Sequence, residues 1–332
     1  MKKIMIPTIL AVTAAALLSG CGHAADSSLT PVTLNEVAHS IFYAPQYAAI
    51  ELGYFDEEGL DVTLVNGGGA DKVMTALVSG EADIGFMGSE ASVYTYANGE
   101  ADYAVNFAQL TQRAGNFLVG REPEPDFQWE NLKGKKVLGG RAGGMPQMVF
   151  EYILKKNGID PKTDLSIDQS INFGLTAAAF TSNDADYTVE FEPFATALEQ
   201  EGNGHVAASL GESSGYVPYT AYCAKKSYIE KNPEIIQKFT NAIQKGLEYV
   251  NSHTSEEIAK TIKPQFKETD EAALTAIVER YKAQDTWKTD TVFEKESFDL
   301  LQNILEEAGE LPTRVPYEDL VITDFARAAV KE

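Results

Sequence analysis

Apolar and polar positions along this chain switch repeatedly between two periods. Val32 to Ala38 alternates apolar and polar, which predicts a half-buried strand. Ala44 to Tyr54 predicts a helix, with Pro45 tolerated in its first turn and Gly53 near its end. Gly59 turns the chain into a predicted strand, Leu60 to Val65. Ala70 to Val78 reads as the next helix, because Val73, Ala76 and Leu77 fall on one face. Ile84 to Met87 reads as a short buried strand, and Ser89 as the cap of a helix running to Asn98. Tyr103 to Leu110 and Asn116 to Gly120 are two further strands, the second crossing toward the other half. Strands alternating with helices at this spacing predict an α/β fold with mostly parallel sheets.

The pattern is written twice. Shifted by 103 residues, Asp61-Val62-Thr63-Leu64 falls on Asp164-Leu165-Ser166-Ile167, and Ser79-Gly80-Glu81-Ala82-Asp83 on Ser182-Asn183-Asp184-Ala185-Asp186. Pro45-Gln46 and Pro146-Gln147 open corresponding helices at an offset of 101. A repeat this long is no solenoid unit; it has the size of half a two-lobed α/β protein. In the second copy, helices are expected over Pro146 to Asn157, Gly174 to Thr181 and Phe191 to Glu201. Strands are expected over Leu165 to Asp168, Tyr187 to Glu190 and Val206 to Ala208. Tyr216 to Thr220 reads as a return crossing. Beyond it Lys226 to Lys331 is charged, helix-periodic and without a repeat partner. The expected organisation is 31–115 as the first lobe, 116–215 as the second, and 216–332 as the return crossing with helices packed mainly on the first.

The N-terminus follows another logic. Lys2 and Lys3 precede an apolar stretch from Ile4 to Leu18, then Leu18-Ser19-Gly20-Cys21. This reads as a signal peptide over 1–20 ending in a lipobox, which makes Cys21 a lipidated N-terminus and 21–30 a tether. Membrane contact through that lipid and an extracytoplasmic location are the expectations. The remainder, about 300 residues, suggests two domains. Formal net charge is −22. That argues against nucleic acid or anionic lipid as a partner. Cys223 is then the last thiol, inside the apolar run Tyr219 to Ala224, and reads as buried and inert.

Gly53-Tyr54-Phe55, Glu58-Gly59-Leu60-Asp61-Val62, Gly80-Glu81-Ala82-Asp83-Ile84-Gly85 and Leu132-Lys133-Gly134-Lys135-Lys136-Val137 resemble the substrate-binding proteins of ABC importers. The subgroup is the one serving nitrate, sulfonates, taurine and thiamine-pyrimidine precursors. The resemblance covers roughly residues 32 to 250. It implies a periplasmic-binding-protein fold of two α/β lobes joined by crossing strands, with the ligand between them. It also implies a monomer that delivers a small molecule to the transmembrane subunits of an ABC permease, without catalysis and without a cofactor. The same fold resembles pyrimidine synthases and certain desulfurising enzymes; against these stand the export signal and the lack of a Cys-rich motif or a His/Cys or Ser/His constellation.

In open parallel sheets ligands sit beyond the carboxyl ends of the strands. Here those loops are His39 to Ala44, Asn66 to Asp71, Met87 to Glu90, Gly139 to Met145, Ser170 to Gly174 and Glu190 to Pro193. Gly67-Gly68-Gly69 and the loop ending at Gly144 let backbone approach a ligand closely. Neither has phosphate-loop spacing. Phe42, Tyr43 and Phe173 are candidates to sandwich a flat ligand. Asp71, Glu90, Glu190 and Glu192, against His39 and Arg141, suit an amine or aminopyrimidine better than nitrate or a sulfonate, which remains the alternative. Arg141 has two readings: a bidentate clamp on an anionic group, or an ion pair with Glu190 or Glu192. Gly88 and Ser89 complete the candidate set. The four histidines, His23, His39, His205 and His253, are scattered, so no metal site is expected.

Overall fold

The computed structural model describes residues 29–171 and 174–331; Cys21, the segment before it and Phe173 lie outside the described residues. The first alternating stretch forms β1 (Thr30–Glu36), with Val32 and Leu34 buried; burial then becomes continuous through Asn35 and Glu36. The chain continues through α1 (Ala44–Glu51), α2 (Tyr54–Glu57), β2 (Leu60–Asn66), α3 (Ala70–Ser79), β3 (Ile84–Gly88), α4 (Glu90–Ala97), β4 (Ala104–Thr111) and β5 (Asn116–Gly120). The helix expected over Ala44 to Tyr54 divides because Gly53 takes a left-handed φ of 74°. The second half runs β6 (Lys136–Leu138), α5 (Met145–Lys156), β7 (Ser166–Asp168), α6 (Thr176–Ser182), β8 (Tyr187–Phe191), α7 (Phe194–Gln200), β9 (His205–Ser209), α8 (Leu210–Ser214) and β10 (Thr220–Lys225). Helices follow: α9 (Lys226–Lys231), α10 (Pro233–Ser252), α11 (Ser255–Ile262), α12 (Glu271–Ala283), α13 (Lys295–Ala308), α14 (Tyr317–Leu320) and α15 (Asp324–Ala329).

Each lobe holds a five-stranded sheet flanked by helices, ordered β2-β1-β3-β10-β4 and β7-β6-β8-β5-β9. Each sheet borrows one strand from the other half of the chain. β5 lies antiparallel between β8 and β9, and β10 lies antiparallel between β3 and β4. The sheets are therefore mixed, with the crossing strand reversed. The 103-residue repeat has a structural counterpart: α3 and α6 end at Ser79 and Ser182, and β3 and β8 start at Ile84 and Tyr187. The repeated aspartate does the same work in both lobes. Asp83 accepts a 2.8 Å bond from the Thr33 amide, and Asp186 accepts a 2.8 Å bond from the Lys136 amide. Each carboxylate thereby ties its β-strand to the one beside it.

The C-terminal helices do not divide cleanly. α10 packs on α1, and α11 on both α1 and α12, at the first lobe. α13 instead packs on α5 of the second. Among the described residues no helix is long and apolar enough to cross a membrane.

Candidate functional site

The strand ends of both lobes open onto one cavity of about 490 Å³. Of the residues singled out from the sequence, Tyr43, Gly68, Asp71, Gly88, Glu90, Arg141, Gly144 and Glu190 line it. Sequence reasoning missed Lys72, Asn116 and Tyr219, which line it too. A signal for the last two was available. A strand that crosses between lobes passes the hinge, so the residues where it begins, Asn116 at the start of β5 and Tyr219 just before β10, come to the cleft.

Two acids from opposite lobes sit deep in this cavity. Glu90 opens α4 and is 3% exposed; Glu190 lies in β8 and is 2% exposed. Glu90 Oε1 accepts a 3.3 Å bond from the amide of Met145, the first residue of α5 in the other lobe. A helix N-terminus favours a negative charge there. Gly88 is needed beside it, because a β-carbon at that position would overlap the Glu90 carboxylate. Glu190 accepts from Thr188 Oγ1 at 2.6 Å and Thr176 Oγ1 at 3.0 Å. Burial pushes both carboxyls up to about 7, against these hydrogen bonds, which act in the opposite sense.

Four sequence candidates are placed elsewhere. His39 turns to the C-terminal helices: Nδ1 is 2.8 Å from Glu36 Oε1, Nε2 is 3.0 Å from the Gln265 carbonyl, and the ring stacks on Phe266. Both partners accept, so the arrangement suits a doubly protonated ring, and the bond to Glu36 raises its pKa. Phe42 is fully buried beneath the cleft, against Phe191, Tyr219 and Tyr281. Ser89 donates to the Pro218 carbonyl and makes no side-chain cap for α4. Glu192 is paired with Arg280 at 2.6 Å and accepts from the Thr196 amide and hydroxyl. It does not line the cavity. Phe173 lies outside the described residues.

Arg141 pairs with neither Glu190 nor Glu192. Its guanidinium reaches only the Ala142 carbonyl, at 3.5 Å, among the described residues. Arg141 and Lys72 are exposed cations at the mouth, with the exposed Asp71 beside Lys72, while Glu90 and Glu190 are buried. Cys223 is buried, and burial pushes its thiol up to about 12, far from a thiolate nucleophile at neutral pH.

The model of the NMT1/THI5-like family matches residues 41–257, a span that takes in both lobes' cleft loops and both crossings. The chain belongs to the NMT1/THI5-like family. "Putative binding protein YtlA" of Bacillus subtilis (strain 168) is similar, with 46% identity over 307 residues and 92% of each chain covered. A 4-amino-5-hydroxymethyl-2-methylpyrimidine phosphate synthase of Candida albicans (strain WO-1) is 24% identical over 231 residues, 65% of each chain. Among solved structures, the alkanesulfonate-binding protein SsuA of Xanthomonas axonopodis pv. citri, bound to MOPS, superposes with a TM-score of 0.72 at 17% identity. It covers 89% of this chain and 98% of that one. At that identity the likeness carries the fold alone. This NMT1/THI5-like chain has the two-lobed architecture of the substrate-binding proteins of ABC importers.

Proposed function

We propose that this protein is an extracytoplasmic solute-binding protein, held at the membrane by lipid on Cys21, that captures a small aromatic nitrogen compound and hands it to an ABC permease. The observation behind the ligand class is the pair of buried carboxyls, Glu90 and Glu190, in one cavity with Tyr43 and Phe191. Ionised, they accept from an amine; protonated, they donate to a ring nitrogen. Aromatic side chains suit the faces of a flat ring. Binding and lobe closure, rather than catalysis, are the proposed activity.

A second reading, an organic anion such as a sulfonate, taurine or a nitrate-like ion, is favoured by Lys72 and Arg141 at the mouth. Mass spectrometry of the small molecule released by denaturing the purified protein tests both. Titration calorimetry with that molecule then ranks Glu190→Gln against Arg141→Gln. Charge-assisted bonds contribute roughly 1.5–3 kcal/mol. The amine reading therefore expects Glu190→Gln to weaken binding by about ten- to a hundredfold. Arg141→Gln should then matter less; the reverse order selects the anion. For the anchor, Cys21→Ser should move the protein from the membrane to the soluble fraction.

A further inference from the structure

β1 ends in Glu36, which is fully buried and does not line the cavity. A buried carboxylate is costly unless it is paired and hydrogen-bonded. Its Oε2 accepts from Gln46 Nε2 and from the Tyr47 hydroxyl, each at 2.8 Å. Its Oε1 lies 2.8 Å from His39 Nδ1, and His39 is the one cation paired with it among the described residues. The other ring nitrogen lies 3.0 Å from the Gln265 carbonyl, in the turn Lys263–Gln265 that follows α11. The ring packs between Phe266 and Tyr47. His39 therefore joins the end of β1 to the C-terminal helices. Its neighbours Val37, Ala38 and Ser40 line the cavity, and the Ser40 hydroxyl crosses to the Glu192 carbonyl of the second lobe.

A neutral imidazole has one N–H and one lone pair. With the proton on Nδ1, the lone pair of Nε2 points at a carbonyl oxygen; with the proton on Nε2, that of Nδ1 meets a carboxylate. Only the imidazolium serves both acceptors. We propose that the His39 imidazolium is a positioning residue for the cleft: it fastens the wall segment Val37 to Ser40 to buried Glu36 and to the turn after α11, and loss of its proton loosens that wall and weakens ligand binding. The proposal rests on the cleft being a small-molecule site. The titratable and charged groups around the ring are Glu36 on β1, Tyr47 and Glu51 on α1, and Lys263 in the turn, with the Glu192–Arg280 pair beyond Ser40. Burial and Glu36 keep the Tyr47 hydroxyl protonated. Glu51 accepts from Gln265 Nε2, and Lys263 donates to the Phe266 and Lys267 carbonyls, so both are engaged within the turn. The bond to Glu36 raises the ring above its ordinary 6.5, against burial and helped by the Gln265 carbonyl. Its hold is therefore complete below 6.5 and is lost as pH rises through the higher folded value.

The test compares the full mature chain with its His39→Gln variant at about pH 6 and about pH 9, on either side of the ring's titration. Nitrogen NMR of the native ring reads its protonation and needs no variant. Hydrogen exchange over 37–40 and 263–266 reads its hold on the wall. Calorimetry with 4-aminopyrimidine and with taurine, one probe for each reading of the cleft, reads the effect on binding. Taking the ratio of native to variant at each pH cancels the intrinsic pH dependence of exchange and the titration of Glu90 and Glu190. At the lower pH both ring nitrogens should carry protons. Both segments should then exchange about three- to tenfold more slowly in the native chain, and the probe that binds should bind about three- to tenfold tighter, as one hydrogen bond gives. At the higher pH both ratios should approach one. A neutral ring at the lower pH, or an exchange ratio that does not change with pH, overturns positioning by the proton, whether or not a probe binds. An exchange ratio that changes with pH beside an affinity ratio that stays at one overturns the link to binding. Binding of neither probe removes both ligand readings and the affinity claim with them, while the exchange ratios still decide what His39 holds.

Discussion

Glu190 and Glu192 stand two residues apart at the end of β8 and have different fates. Glu190 keeps its carboxyl at the cavity, held by two threonine hydroxyls. Glu192 spends its oxygens on Arg280 and Thr196. The sequence marks both as acids at a strand end, where packing alone explains neither. It does not mark Arg280, which lies on α12 and is brought in only by the C-terminal helices. Two consequences differ. Glu192→Gln should cost about 1–3 kcal/mol of stability in denaturant unfolding, since the partly exposed Arg280 loses a charged partner but keeps Glu199. Ligand affinity of the folded variant should stay within about threefold. Glu190 behaves oppositely. Its carboxyl, like that of Glu90, is raised to about 7 from an ordinary 4.5, so the folded chain holds the proton more tightly than the unfolded chain. That contribution is complete below pH 4.5 and is lost as pH rises through about 7. At roughly 1.4 kcal/mol per pKa unit it amounts to about 3 kcal/mol for each group. Glu190→Gln should therefore match the native protein near pH 4.5 and exceed it by about 1–3 kcal/mol at pH 8 in denaturant titrations. An equal loss at both pH values would show that the hydrogen bonds, and not the buried charge, dominate.

Local elements were legible where their cause is local. Val73, Ala76 and Leu77 share a face and are all buried in α3. The repeated Ala-Asp before β3 and β8 marks a strand-to-strand tie that works the same way in both lobes. The two crossings were legible, but the place each crossing strand takes within its sheet was not. β10 sits in the apolar run Tyr219 to Ala224, whose pattern suits a buried strand equally well in either sheet. Its insertion between β3 and β4 depends on where the chain returns, not on its own residues. Packing between distant helices was equally silent, and Gly246 in α10 is the clearest case. A glycine inside a helix ordinarily costs about 1 kcal/mol relative to alanine. Here α10 approaches α1 so closely that a β-carbon would overlap the Pro45 carbonyl and press on Ala49. Overpacking of this kind costs typically 1–3 kcal/mol. Gly246→Ala should thus lower the thermal midpoint despite the better helix former, and Ala49→Gly in the same chain should restore little, because the backbone carbonyl remains. A stabilised Gly246→Ala would mean that the helices separate without cost.

At the scale of the molecule, contacts between the lobes fall into two sets. Near the crossings, Ser40 Oγ donates to the Glu192 carbonyl at 3.1 Å, and Tyr281 donates to the Gly115 carbonyl at 3.0 Å. Across the cleft, Glu90 meets the Met145 amide, and the Tyr94 hydroxyl donates to the Gly143 carbonyl at 3.0 Å. A rotation about the crossings moves the first set little and separates the second. Tyr94 is the better probe, because Glu90 also belongs to the cavity while Tyr94 does not line it. Its hydroxyl donates to the Gly143 carbonyl and also lies 3.5 Å from Met148 Sδ, a weaker acceptor; the neutral hydrogen bond is worth about 0.5–1.5 kcal/mol. Tyr94→Phe keeps the ring and removes that bond, so it biases the lobes toward separation by the same amount. A ligand that needs the closed form then binds more weakly, by about two- to tenfold, with the loss coming from the population of closed protein rather than from contact with the ligand. Small-angle scattering should show a larger radius of gyration for ligand-free Tyr94→Phe than for the native chain. At saturating ligand the two radii should converge, since the ligand's differential affinity exceeds one hydrogen bond. Equal radii without ligand, together with unchanged affinity, would place the hinge equilibrium outside this contact and leave the crossings alone to set it.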